Sequence, residues 1–196
     1  MSDTRDKNIE FNVSSVTEFT QEYFQAMSNA QKEIDLSDLP EIIKVIQDTI
    51  DSGSTVYSMG NGGSSAIADH LVCDFTKGCF TDHSKLKSFS LNSNTPLFTA
   101  ISNDLSYKES FSKQLEYYLD DNDVILLISS SGNSDNIVNA IDYANQRGIK
   151  SITLTGFDGG DAKIKSSLNI RVSIDNYGII EDIHQSLVHV IAQFVY

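Results

Sequence analysis

The chain has 196 residues, 40% of them hydrophobic, and 14 Lys and Arg against 27 Asp and Glu leave a formal net charge of −13. That length and apolar content suit one domain with a substantial core rather than two. A pI near 4.5, with no basic patch along the chain, argues against a nucleic acid or an anionic membrane surface as partner.

The first residues, Met-Ser-Asp-Thr-Arg-Asp-Lys, lack the apolar core of a signal peptide. No run reaches the roughly 18 apolar residues of a membrane span. Cys73 and Cys79 form no Cys-x-x-Cys motif, so a reducing, cytoplasmic setting is expected. Residues 1–15 read as a flexible N-terminus and 16–196 as a single domain. From Val16, the apolar positions Phe19, Phe24 and Met27, with Tyr23, space out as an amphipathic helix. Ser37-Asp38-Leu39-Pro40 opens a second, with Asp38 or Ser37 as cap and Pro40 in the first turn.

Val56 to Met59 is a short strand that breaks at Gly60-Asn61-Gly62-Gly63-Ser64 and runs into a helix carrying His70 and Asp74. The glycines permit close backbone approach, and Asn61, Ser64 and Ser65 stand beside the unpaired N–H groups of a helix start. Such a turn suits an anion or a polyhydroxyl ligand. It is neither a Walker loop nor the Gly-x-Gly-x-x-Gly dinucleotide fingerprint. His70 and Asp74, at i and i+4, project from one helix face and can share a metal ion or a proton, though a solvated ion pair has the same spacing.

The segment 77–87 is a polar loop containing His83, and Phe89 to Leu91 a short strand. Leu97 to Ile101 is helical, Ser102-Asn103-Asp104 interrupts it, and a helix resumes from Tyr107 to Leu119. Asp123 to Ser129 is a continuous apolar run, as in a parallel strand covered on both faces. It leads into Ser129-Ser130-Ser131-Gly132-Asn133-Ser134 and a helix from Asp135 to Arg147-Gly148. Four hydroxyls beside a helix start make a neutral cradle for a phosphate or a sugar, and the missing Gly-x-Ser-x-Gly disfavours a serine hydrolase. Strands follow at 150–155 and 168–173, with a terminal helix from Gly178. Alternating strands and helices predict an α/β fold, a three-layer α/β/α sandwich with a mainly parallel sheet, preceded by N-terminal helices.

The terminal helix concentrates Glu181, Asp182, His184 and His189 beside an apolar stripe. Glu181-x-x-His184 is itself a possible metal pair. Glu181 and His189 stand about 12 Å apart along a helix axis at 1.5 Å per residue, too far for one small ion unless two copies of the helix contribute. The spacing points to an intersubunit site.

Taken together, Gly-Asn-Gly-Gly-Ser at 60–64, His70 with an acid four residues later, Asn103-Asp104, Ser-x-Ser-Gly-Asn-Ser at 129–134, Leu-Thr-Gly-x-Asp-Gly-Gly at 154–160 and Ile-His-x-x-x-x-His at 183–189 resemble the sugar isomerase (SIS) domain family. Within it the resemblance is to the phosphoheptose isomerases, and it covers nearly the whole chain from Val16. It implies an aldose–ketose isomerase that converts sedoheptulose 7-phosphate to D-glycero-D-manno-heptose 7-phosphate through an enediol, in heptose biosynthesis for lipopolysaccharide or capsule. It further implies a homotetramer with active sites between subunits and one zinc ion per site. Carried over, Asn61, Gly62, Gly63, Ser64, Asn103, Asp104, Ser129, Ser130, Ser131 and Ser134 hold the sugar phosphate. His70, Asp74, Glu181 and His189 take the metal positions, with Asp74 the base and His189 the partner acid. Two positions depart from the family pattern, which has glutamate at 74 and glutamine at 181; the carboxylate moves across the site, so Glu181 is expected to share or take over the metal and base duties of Asp74. The alternatives are a non-catalytic SIS protein that binds a protein partner, as the replication initiator-associating relatives do, and an isomerase of another sugar phosphate. The former relatives lack the metal constellation that this chain carries.

Overall fold

The structure is a computed structural model that describes residues 9, 11, 13–80 and 85–195. The expectation of a flexible N-terminus over residues 1–15 falls mostly outside them, as does the loop position of His83. Strands β1 (Thr55–Gly60), β2 (Lys87–Ser90), β3 (Val124–Ser129), β4 (Lys150–Gly156) and β5 (Leu168–Val172) form one sheet in the order β2-β1-β3-β4-β5. Every adjacent pair is parallel. From β1 the chain steps outward to β2, then returns to place β3 on the other side. Strand order therefore reverses between β1 and β3, and a crevice opens at their carboxyl ends.

The helices are α1 (Val16–Lys32), α2 (Leu39–Ser52), α3 (Gly63–Cys73), α4 (Thr95–Asp104), α5 (Ser112–Tyr118), α6 (Asp135–Gln146), α7 (Gly160–Lys165) and α8 (Tyr177–Val195). Side chains alternate across a strand, and β3 shows the result. Val124, Leu126 and Ile128 join a cluster with Ile42 and Ile46 of α2, Leu71 of α3 and Ile183 and Val188 of α8. Ile125 and Leu127 join Leu115 of α5 and Ile137 and Ile141 of α6 on the opposite face. The expected three layers follow from this two-sided burial.

Three local expectations need correction. Asp38 occupies the N-cap position of α2 but makes no side-chain cap bond there; its carboxylate instead accepts from the Asn169 N–H at 2.9 Å, tying α2 to β5. The segment Ser102-Asn103-Asp104 continues α4, whose helical bonding runs on until the Leu105 N–H donates to the Ile101 carbonyl. The helix foreseen over 107–119 is instead a 3-10 turn at Tyr107–Glu109 followed by α5. Along α1, the apolar stripe is only partly covered: Val16 is 80% exposed and Phe24 58%, while Tyr23, Ala26 and Met27 pack on the core.

Candidate active site

The glycine turn sits where expected, at the carboxyl end of β1 and the start of α3. Gly62 has φ +56° and a β-carbon there would be strained, while Ser64 is buried in the first helical turn. Asn92, just past β2, grips Gly60 from the side: its Oδ1 accepts from the Gly60 N–H at 3.1 Å and its Nδ2 donates to the Gly60 carbonyl at 2.8 Å. Nothing in the sequence singled out Asn92, since a polar residue after a strand is unremarkable until its partner is known.

The serine loop leaves the adjacent strand β3. Ser129 Oγ accepts from the Gly132 N–H at 3.2 Å, and Ser131 Oγ from the Asn133 N–H at 3.3 Å. Ser130 Oγ is buried without a hydrogen-bond partner, and Ser134 stands at the N-cap of α6 with its hydroxyl making no cap bond. An unmet buried hydroxyl is costly, and Ser130 Oγ has a hydrogen bond left to make. The 156–162 segment buttresses the loop. The Gly156 N–H donates to the Ser130 carbonyl at 2.9 Å, the Ala162 N–H to the Gly132 carbonyl at 2.9 Å, and the Asp161 N–H to Asn133 Oδ1 at 3.0 Å. Asn103 and Asp104 lie exposed at the end of α4, with Asn103 Nδ2 donating to Asp104 Oδ1 at 2.9 Å.

The second group gathers where α3 meets α8. The last residues of α3 pass into a π-helical turn at Asp74–Gly78, a widening that is frequent at functional sites. There Asp74 Oδ2 is 2.9 Å from His189 Nδ1 and 3.4 Å from His70 Nε2. The two imidazoles meet edge to face, centroids 5.0 Å apart at 88°. Gln185 Nε2 lies 3.1 Å from His189 Nε2. Gln185, one turn before His189, is a partner that sequence reasoning missed.

Ligand atoms of His70, Asp74 and His189 all lie within 4.8 Å of one another. Two imidazoles and a carboxylate match the donors that zinc takes, so this set fits the metal that the sequence resemblance implies. Asp74 and His189 line a surface groove of about 720 Å³ together with Cys73, Lys77, Phe80 and Gln193.

Glu181 stands apart from that cluster. A β-carbon on Gly63 would collide with its carboxylate, so within one chain Glu181 lies at the glycine turn. Burial first, then the neighbouring Asp182, holds its carboxyl above the usual range. α3 and α8 thus run side by side, Glu181 at one end and His189 at the other. His184 is no partner of Glu181 in a metal pair. It is fully buried, its Nε2 donates to the Thr155 carbonyl of β4 at 3.0 Å, and burial pushes its pKa down to about 4.

The SIS domain model matches residues 18–156. A protein of Thermoplasma volcanium named probable phosphoheptose isomerase is 33% identical over 174 residues, covering 89% of each chain. The phosphoheptose isomerase of Colwellia psychrerythraea is 38% identical over 146 residues, covering 73% of this chain and 74% of that one. The solved phosphoheptose isomerase of Neisseria gonorrhoeae superposes with a TM-score of 0.82 at 28% identity, over 92% of this chain and 96% of that one. The paired strand-end loops and the His–Asp–His group thus lie on a frame shared, at this identity and over most of its length, with named isomerases, and the chain belongs to the phosphoheptose isomerases of the SIS domain family.

Proposed function

We propose that the chain interconverts sedoheptulose 7-phosphate and D-glycero-D-manno-heptose 7-phosphate, supplying heptose for a surface polysaccharide. The observation that carries this reading is the Asp74 carboxylate held between His70 and His189, an acid–base pair on an isomerase frame. The serine loop takes the phosphate on its hydroxyls and on the α6 N-terminus, which suits an anion in a chain of net charge −13 because backbone N–H groups need no basic side chain. Asn61, Gly62, Gly63 and Ser64 with Asn103 and Asp104 hold the sugar hydroxyls.

Asp74 removes a proton from C1 while the His189 imidazole gives one to the C2 oxygen, leaving an enediol. Asp74 then returns its proton to C2, and the C1 hydroxyl proton passes back to His189, so the aldose forms with no net gain or loss. His70, Asp74 and His189 would hold a zinc ion, with the Glu181 carboxylate of a second chain joining them. Such an ion, when bound, polarises the carbonyl and offsets the charge that builds on its oxygen.

We infer a homotetramer with sites shared between subunits. His70 lies seven residues beyond Gly63, about 10 Å along α3, so one chain alone separates its sugar cradle from its acid–base pair. A neighbouring chain bringing a second α8 closes that gap. Support comes from the open apolar faces of α1 and of α8, where Val190 is 51% and Phe194 74% exposed. A cytoplasmic setting agrees with the free thiols of Cys73 and Cys79; no described helix is long and apolar enough to cross a membrane.

The test is incubation with sedoheptulose 7-phosphate, with chelator or with added zinc, followed by NMR of C1 and C2. Aldose formation that zinc restores after chelation is the expected result. If no product forms under any metal condition, the chain is a binding protein.

A further inference from the structure

We propose that Asn136 and Tyr107 are positioning residues that clasp the Asn61 amide and so set the glycine turn against the serine loop for substrate. Asn61 sits between two glycines, where the backbone alone fixes little. Its Oδ1 accepts from the Tyr107 hydroxyl at 2.7 Å and from Asn136 Nδ2 at 3.0 Å. Its Nδ2 donates to Asn136 Oδ1 at 2.8 Å, closing a reciprocal pair of amides. Asn136 lies in the first turn of α6, is fully buried, and spends its remaining amide hydrogen on Ser110 Oγ at 3.1 Å. One Asn61 amide hydrogen is left over, and it is the one free for a sugar hydroxyl.

The clasp joins three stretches already assigned to substrate. Asn61 belongs to the turn after β1, and Asn136 follows Ser134 at the end of the serine loop. Tyr107 lies three residues beyond Asp104, its ring packed against Phe98 at 5.9 Å. β1 and β3 are neighbours, Gly60 facing Ile128 in register, so the link crosses the point where strand order reverses. Buried amide pairs are strong in a low-dielectric setting and costly to leave half-made. An apolar side chain at 136 would fill the same space without fixing Asn61, which marks the amide as a positioning device. The proposal rests on the glycine turn being a sugar cradle.

Binding of sedoheptulose 7-phosphate by calorimetry, steady-state kinetics and hydrogen–deuterium exchange of residues 60–65 in the ligand-free protein test it. Tyr107→Phe removes one hydroxyl from a half-exposed ring. Its expected effects are a KM and Kd raised about two- to tenfold, the worth of one hydrogen bond, with kcat and melting temperature unchanged and exchange at 60–65 faster. Asn136→Ala is expected to do the same more strongly; should it fail to fold, Tyr107→Phe decides alone. The clasp is overturned if Tyr107→Phe leaves KM unchanged, lowers kcat at constant KM, or raises KM without faster exchange, since the last would put the hydroxyl on the sugar itself. A wild-type chain that neither binds nor converts the sugar phosphate sinks the parent reading, and this proposal with it.

Discussion

His189 and Asp74, 115 residues apart in sequence, meet through a hydrogen bond of 2.9 Å between Nδ1 and Oδ2. His70 approaches the same carboxylate oxygen from one helical turn away at 3.4 Å. Asp74→Asn keeps the shape and removes the basicity, so kcat is expected to fall about 10²- to 10⁴-fold, the usual worth of a positioned base. Zinc content by mass spectrometry of the native protein is expected to fall alongside. An Asp74→Asn enzyme with wild-type kcat would show that the proton moves elsewhere.

Glu181 brings a carboxylate to the glycine turn. If it shares the base or ligand duties of Asp74, Glu181→Gln lowers kcat/KM at neutral pH by about tenfold or more, with folding intact by circular dichroism. Full activity in that variant would restrict the chemistry to Asp74 and His189.

The serine loop is held from behind by backbone. Gly132 has φ +65°, and a β-carbon there would strike the Gly159 carbonyl. A left-handed non-glycine residue costs about 1–2 kcal/mol, and overpacking against backbone adds a similar amount. Gly132→Ala is therefore expected to cost at least about 2 kcal/mol in urea titration and to weaken sugar phosphate binding. At Gly148 (φ +69°) the Cβ meets open space, so Gly148→Ala is expected to cost only the backbone strain and leave binding untouched.

His184 makes stability depend on pH. In the unfolded chain its imidazole takes a proton as pH falls through the ordinary 6.5, whereas in the fold it stays neutral down to about 4. Between those values the unfolded state binds the extra proton, so the contribution is complete above pH 6.5 and drains away as pH drops toward 4. At 1.36 kcal/mol per pKa unit the window is worth up to roughly 3 kcal/mol. Urea midpoints measured at pH 7 and pH 4.5 are expected to differ less in His184→Gln than in wild type. Equal differences would mean that water reaches the ring.

Much of this protein was legible in one dimension. The unbroken apolar run of β3, the glycines after β1 and the hydroxyls after β3 announce buried parallel strands ending in ligand loops, because strand burial and turn stereochemistry are local demands on residue type. The i, i+4 spacing of His70 and Asp74, likewise, follows from helix pitch alone. What no local rule states is which distant side chain completes each group. His189 against Asp74, Asn92 on Gly60, Asn136 on Asn61 and Gln185 behind His189 depend on strand order and on how α3 and α8 lie together. His184 shows the same limit: its spacing from Glu181 suits a ligand pair, yet the packing of α8 on β4 turns it inward to a backbone carbonyl. Residue chemistry and periodicity therefore determined the layers and the kinds of group available. The tertiary structure decided their pairing, because a hydrogen bond needs its two atoms within about 3 Å, and only the folded chain sets that distance.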